Sequence, residues 1–149
     1  MKDFIHRFLL IILLFIAASC AHQQKSIQKK QQVINKKDVT GHVAPNGLAQ
    51  VYHQIEHNCE HYMGTLVVKE SMIVPAHTHP KSDEYLYVIK GKGKLVIDGR
   101  QYQVKKGDAI FIPKGILHSY ENQSKMTEFV QIYTPKGPEQ RFKKWALIK

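Results

Sequence analysis

The sequence predicts an all-β domain closed into a barrel or jelly roll, and three observations predict it. From residue 51 onward, short β-type runs alternate with turn signals. Several of those turns carry defined chemistry, Asp98-Gly99 being a strong two-residue hairpin signal. No stretch offers an amphipathic helix to cover a sheet, so the strands must close on themselves or pair sheet against sheet.

Taken in order, residues 51–62 read as a strand, a turn near Asn58 and the start of a second strand. The runs Tyr62–Lys69 and Met72–Val74 come next, then Tyr85–Ile89, which the hairpin turn Lys90-Gly91-Lys92 joins to Gly93–Ile97. Asp98-Gly99 reverses the chain into Gln101–Val104, and Lys106-Gly107-Asp108 reverses it again into Ala109–Ile112. Pro113 and Gly115 set the turn before His118–Asn122, and Glu128–Tyr133 completes a set of eight runs. The tail Arg141-Phe142-Lys143-Lys144-Trp145 is expected to pack Phe142 and Trp145 on the outside of this barrel.

Composition sets the class. At 149 residues, 43% hydrophobic and 23% charged, the chain has room for one ordinary globular core and is neither disordered nor collagen-like. The net charge of +10 is unevenly spread: residues 21–40 hold Lys25, Lys29, Lys30, Lys36 and Lys37 against Asp38. A basic tether explains that pattern, and without a recognition motif the charge implies no nucleic-acid partner.

The N-terminus reads as an address. Lys2 and Arg7 precede an apolar run from Phe8 to Ala18 and then small residues ending at Cys20, which makes residues 1–19 a cleaved signal peptide. Eleven apolar residues fall well short of the ~20 needed to span a bilayer as a helix. The ending Ala17-Ala18-Ser19-Cys20 resembles the lipobox of bacterial lipoproteins, with Ala17 standing where Leu is usual, and implies lipidation of Cys20. The expected location is therefore a membrane-anchored lipoprotein facing the periplasm, with residues 20–40 as a flexible tether and residues 41–149 as the folded domain. The alternative is ordinary cleavage to a soluble periplasmic or secreted protein, with Cys20 a free thiol or paired with Cys59.

The chemistry concentrates between His77 and Asn122. His77 and His79 are two apart, so on a strand both imidazoles face one side, and Glu84 opens the next run. Two imidazoles and a carboxylate suit a borderline divalent metal, and His118 is a fourth donor that Pro113 and Gly115 can aim inward. The spacing His77-x-His79-x4-Glu84-x6-Gly91 resembles the first motif of the cupin superfamily, and Gly107-x5-Pro113-x-Gly115-x2-His118-x3-Asn122 resembles the second. One position departs: Ser71 stands where the first motif opens with Gly. The resemblance covers about residues 60–135, with a motif core over 71–122, and implies a double-stranded β-helix with a quercetinase-like site. His77, His79, Glu84 and His118 are its implied ligands for one divalent transition metal such as Fe, Mn, Ni or Zn.

A site of three His and one carboxylate leaves coordination positions open for a small-molecule ligand. The resulting expectation is a metal-dependent enzyme, dioxygenase-like or an isomerase or lyase, in which Glu84 either stays a ligand or swings away as a catalytic base. The competing class is a non-catalytic cupin that binds or senses a sugar or other small molecule; a homodimer is compatible with both. Lys81 and Lys114 flank the motifs and suggest an anionic substrate, Gln131 is a candidate polar group facing the pocket, and Glu121 and Glu128 are the nearby acids. Asn122, Pro113, Gly91, Gly107 and Gly115 read as turn-builders, and Tyr85, Tyr87 and Tyr120 as packing aromatics. His53, His57, Cys59 and His61 could share one side of an element, but a strand-turn-strand reading separates them in space.

Overall fold

The structure, a computed structural model, describes residues 33–56 and 60–148. The signal peptide, Cys20, most of the tether, His57 and Cys59 lie outside the described residues. Strands dominate the remainder: β1 (Gly41–Val43), β2 (Ala49–Ile55), β3 (Tyr62–Lys69), β4 (Ile73–His77), β5 (Asp83–Lys90), β6 (Lys92–Ile97), β7 (Arg100–Lys105), β8 (Ala109–Ile112), β9 (His118–Asn122), β10 (Met126–Thr134) and β11 (Ala146–Leu147). Every pairing is antiparallel. One sheet runs β11-β1-β2-β3-β10-β5-β8 and the other β4-β9-β6-β7. This is a jelly roll.

The core arises from period-two patterning. On β10 the alternate residues Thr127, Phe129, Gln131 and Tyr133 are buried while their neighbours are half-exposed. On β5, Glu84 and Val88 point inward while Tyr85, Tyr87 and Ile89 are exposed. Val68, Val88 and Phe129 of the larger sheet meet Leu95, Val104 and Tyr120 in one cluster between the sheets. Turns close the strands as their chemistry requires: Asp98 and Gly99 both take positive φ, the geometry of a twisted two-residue hairpin.

Tyr62–Lys69, Ala109–Ile112 and His118–Asn122 have the bounds the sequence predicts, the run expected at Met72–Val74 instead starts at Ile73 and continues to His77, and the other expected runs extend by one or two residues at their ends. β1 and β11 carry too few residues to show a periodicity. The expected placement of the tail is overturned. Phe142 packs with Val51, Tyr62 and Tyr133, and Trp145 packs against it, so both aromatics close an opening of the barrel instead of lying outside. A short 3₁₀ segment, Pro138–Lys144, carries Phe142 there, and β11 then fastens the chain onto β1.

Contacts with the barrel begin before Gly41. Gln54 donates to the Ile34 carbonyl, and the Lys36 ammonium pairs with Glu128 beside the ring of Tyr52. Among the described residues no helix is long and apolar enough to cross a membrane.

Candidate metal centre

Four elements bring the four ligand candidates together. His77 ends β4, Glu84 lies in β5 and His118 opens β9. His79 lies beyond β4 in the reversal before β5, so convergence of the two motif-one histidines does not come from strand parity. Instead, the β4–β9 register shifts between Val74 and His77, which re-aims the strand end and sets His77 opposite His118. Two bonds then tie the loop after β4 and the first residue of β5 to the loop before β9: Gly115 N–H donates to the His79 carbonyl at 2.9 Å, and Lys114 N–H to Asp83 Oδ1 at 2.8 Å. Gly115 adopts a φ of 79°, which a glycine takes without strain.

The geometry suits a cation. Ligand nitrogens of His77, His79 and His118 lie within 4.8 Å of one another, and among the described residues no such group forms elsewhere in the fold. Glu84 Oε2 stands 3.3 Å from His79 Nε2 and 3.2 Å from His118 Nε2. Burial is deep, with His79, Glu84 and His118 only 4%, 3% and 5% exposed. His77 Nδ1 donates to the Pro75 carbonyl at 2.8 Å and His118 Nδ1 to the Ile116 carbonyl at 2.9 Å, which leaves Nε2 of each ring for a metal. The Nε2 atoms of His79 and His118 are buried and make no well-aligned hydrogen bond to protein. Buried nitrogens in that state fit a metal that uses them.

Charge is arranged to match. Burial would raise the Glu84 carboxyl, but the contacts with His118 and His79 and a 2.7 Å hydrogen bond from Gln131 Nε2 outweigh it and hold the group well below the usual carboxylate range. Burial lowers His77 to about 4, helped by the nearby charges of His118 and Arg141. His118 moves the other way: burial opposes protonation, yet its contact with Glu84 and its bond to the Ile116 carbonyl raise it.

Gln131 therefore does face the site, as expected. Tyr133 was not singled out by the sequence, although it shares parity with Gln131 and sits opposite Glu84 in the β10–β5 register. Its ring lies 5.1 Å from that of His79, and burial, then the Glu84 charge, holds its phenol well above the ordinary value. Glu121 and Glu128 are occupied elsewhere by Lys94 and Lys36. Lys81 and Lys114 are exposed and do not line the cavity, so they supply no anion site there.

His53 and His61 do not form a second ligand group. His53 is buried against His42, Tyr62 and Phe142, whereas His61 lies at the surface beside Thr134. Asn122 serves structure, donating to the Lys69 and Ser124 carbonyls at 2.7 and 2.8 Å and accepting from Thr127. Ser71 occupies a φ of 65°, which explains why glycine suits that turn and why the departure leaves the ligands untouched.

The centre opens on a cavity of about 330 Å³ whose wall includes His77, Glu84 and His118. Its other walls are mainly apolar: Leu66, Val68, Leu86, Leu95, Phe129 and Trp145. Arg141 also lines it, a residue that nothing in the sequence marked because the tail carries no recognisable pattern.

A family model described as "Cupin domain" matches residues 64–133. An uncharacterized protein of Aquifex aeolicus is 40% identical over 70 residues, which is 47% of this chain and 57% of that protein. Quercetin 2,3-dioxygenase of Bacillus subtilis is 43% identical over 63 residues, 42% of this chain and 18% of that protein. The chain thus spans well under two thirds of either relative. An RmlC-like cupin from Shewanella frigidimarina superposes with a TM-score of 0.66 at 14% identity, covering 74% of this chain and 96% of that one. These matches support the cupin superfamily, and the fold is the cupin jelly roll.

Proposed function

We propose that this cupin barrel is a small metal-dependent enzyme, of dioxygenase or isomerase/lyase type, acting on a small organic molecule held in the apolar cavity. The observation that carries the reading is the junction of the two: His77, Glu84 and His118 of the ligand cluster line one wall of a cavity, with buried His79 beside them. A purely structural metal site is closed on all sides; one built for chemistry keeps positions open toward a substrate. A divalent transition metal held there would supply Lewis acidity and coordination positions for substrate.

The chain's own residues do the remaining work. His77 and His118 are oriented by the Pro75 and Ile116 carbonyls, and Gln131 fixes the Glu84 carboxylate. A carboxylate held this far toward its ionised form is a weak base, which favours Glu84 as a ligand over Glu84 as the proton acceptor. The apolar walls exclude water and strengthen every polar contact inside. Partial sequence likeness to quercetin 2,3-dioxygenase supports the dioxygenase branch of this reading. The sequence supports export through residues 1–19 and anchoring at Cys20; incorporation of labelled fatty acid that Cys20→Ala abolishes is the expected result.

The test is metal content of natively purified protein. One transition metal per chain, lost in His118→Ala, is the expected result; absence of stoichiometric metal, or His118→Ala binding as well as wild type, overturns it.

A further inference from the structure

We propose that Arg141 anchors a carboxylate on the substrate, and that the substrate is therefore a small, largely apolar organic acid. The inference rests on the proposed function in taking the same cavity as the substrate site, and it adds the chemical class of what enters.

Arg141 is the cation of the cavity wall. Its guanidinium lies 4.7 Å from the centre of the Phe142 ring, and its Nη2 is 3.5 Å from Tyr133 Oη, the outer limit of a hydrogen bond. Among the described residues no carboxylate pairs with it, whereas Lys36, Lys94 and Lys143 are paired with Glu128, Glu121 and Glu56. Tyr133, which it approaches, stands opposite Glu84 in the β10–β5 register with its ring 5.1 Å from that of His79, which places Arg141 toward the polar end of the cavity. An unneutralised guanidinium beside a metal centre offers a planar fork that matches a carboxylate with two parallel hydrogen bonds.

The mount is preorganised. Glu139, fully buried, accepts from Gly137 N–H at 2.6 Å and from Gln140 Nε2 at 2.7 Å, which fixes the start of the Pro138–Lys144 segment. The β11–β1 pairing fixes the chain on the C-terminal side of that segment. Beyond the polar end the cavity walls are mainly apolar, and a hydrocarbon or aromatic body is what they desolvate favourably. A volume of about 330 Å³ stands at the small end of ligand pockets, which suits a single ring better than a fused system.

The experiment compares benzoate and phenylacetate with their methyl esters by calorimetry and thermal melts, on metal-loaded and metal-free protein. Wild type, Arg141→Met and Arg141→Lys are each measured, with metal content and unliganded melting temperature as controls. Wild type is expected to bind an acid about tenfold or more tighter than its ester in both forms, the gain of charge-assisted hydrogen bonds. Arg141→Met is expected to lose that preference in the metal-free form with metal content unchanged. Arg141→Lys is expected to keep part of it, and decides the matter should Arg141→Met melt early. Equal binding of acid and ester by metal-free wild type, or an undiminished preference in the variants, overturns the assignment. Failure of the metal-centre reading shows separately, as missing metal in wild type.

Discussion

At the scale of single residues, the site is a balance between one carboxylate and three imidazoles of unlike character. His77, pushed down to about 4, is neutral at ordinary pH, whereas His118, pushed up by Glu84, holds its proton more tightly than a free imidazole. A metal must displace that proton. Metal uptake is therefore expected to release a proton at pH values where a free imidazole has already lost its own, and apparent affinity to rise with pH until His118 is neutral without metal; calorimetry in buffers of different ionisation enthalpy measures both. Gln131 touches no metal position itself but donates to Glu84 at 2.7 Å. Gln131→Leu should weaken metal affinity by about 10–100-fold while leaving far-ultraviolet dichroism unchanged, as loss of an orienting hydrogen bond does.

At the scale of elements, turns bear constraints that their sequences only partly announce. Ser71 sits at a φ of 65°, where an L residue costs about 1 kcal/mol or more relative to glycine. Ser71→Gly should consequently raise the urea midpoint, by up to about 1 kcal/mol of stability. Gly91 combines a φ of 89° with a crowded neighbourhood: an added Cβ would lie 2.5 Å from the Met126 carbonyl oxygen and 2.4 Å from Thr127 Oγ1. Gly91→Ala should lower the same midpoint by more than 1 kcal/mol, roughly. The element scale also shows what was legible in the sequence. The β5-to-β9 strands and the ligands on them could be read because hairpin chemistry and motif spacing are local properties of the chain. Convergence of His77 with His118 was legible only through resemblance, because the register shift that aims His77 leaves no local signature. Arg141 was missed, and Phe142 and Trp145 were misplaced, for a related reason: a 3₁₀ segment leading into a two-residue strand has no period from which to infer a buried face.

At the scale of the whole molecule, two polar regions of opposite meaning share one barrel. Around the metal centre, buried Nε2 atoms of His79 and His118 face the same carboxylate; around His53, both ring nitrogens are buried without a hydrogen-bond partner beside aromatic neighbours. Burial, more than any neighbouring charge, lowers His53. Below pH 6.5 the unfolded chain takes up a proton there that the folded chain resists, so stability is full above that pH and declines as pH falls through it. Melting temperatures across pH 5–7 should show this slope, to which the depressed His77 adds, and His53→Leu should make it shallower. The bonds from Gly115 to His79 and from Lys114 to Asp83 hold together two segments that are distant along the chain. An ion gripped by His77 and His79 on one side and His118 on the other would bind only where the fold brings those segments together, and so would hold the folded barrel by mass action. Chelation should then lower the melting temperature by several degrees and speed unfolding, so that the bound ion works as a staple for the barrel as well as a reagent in its cavity.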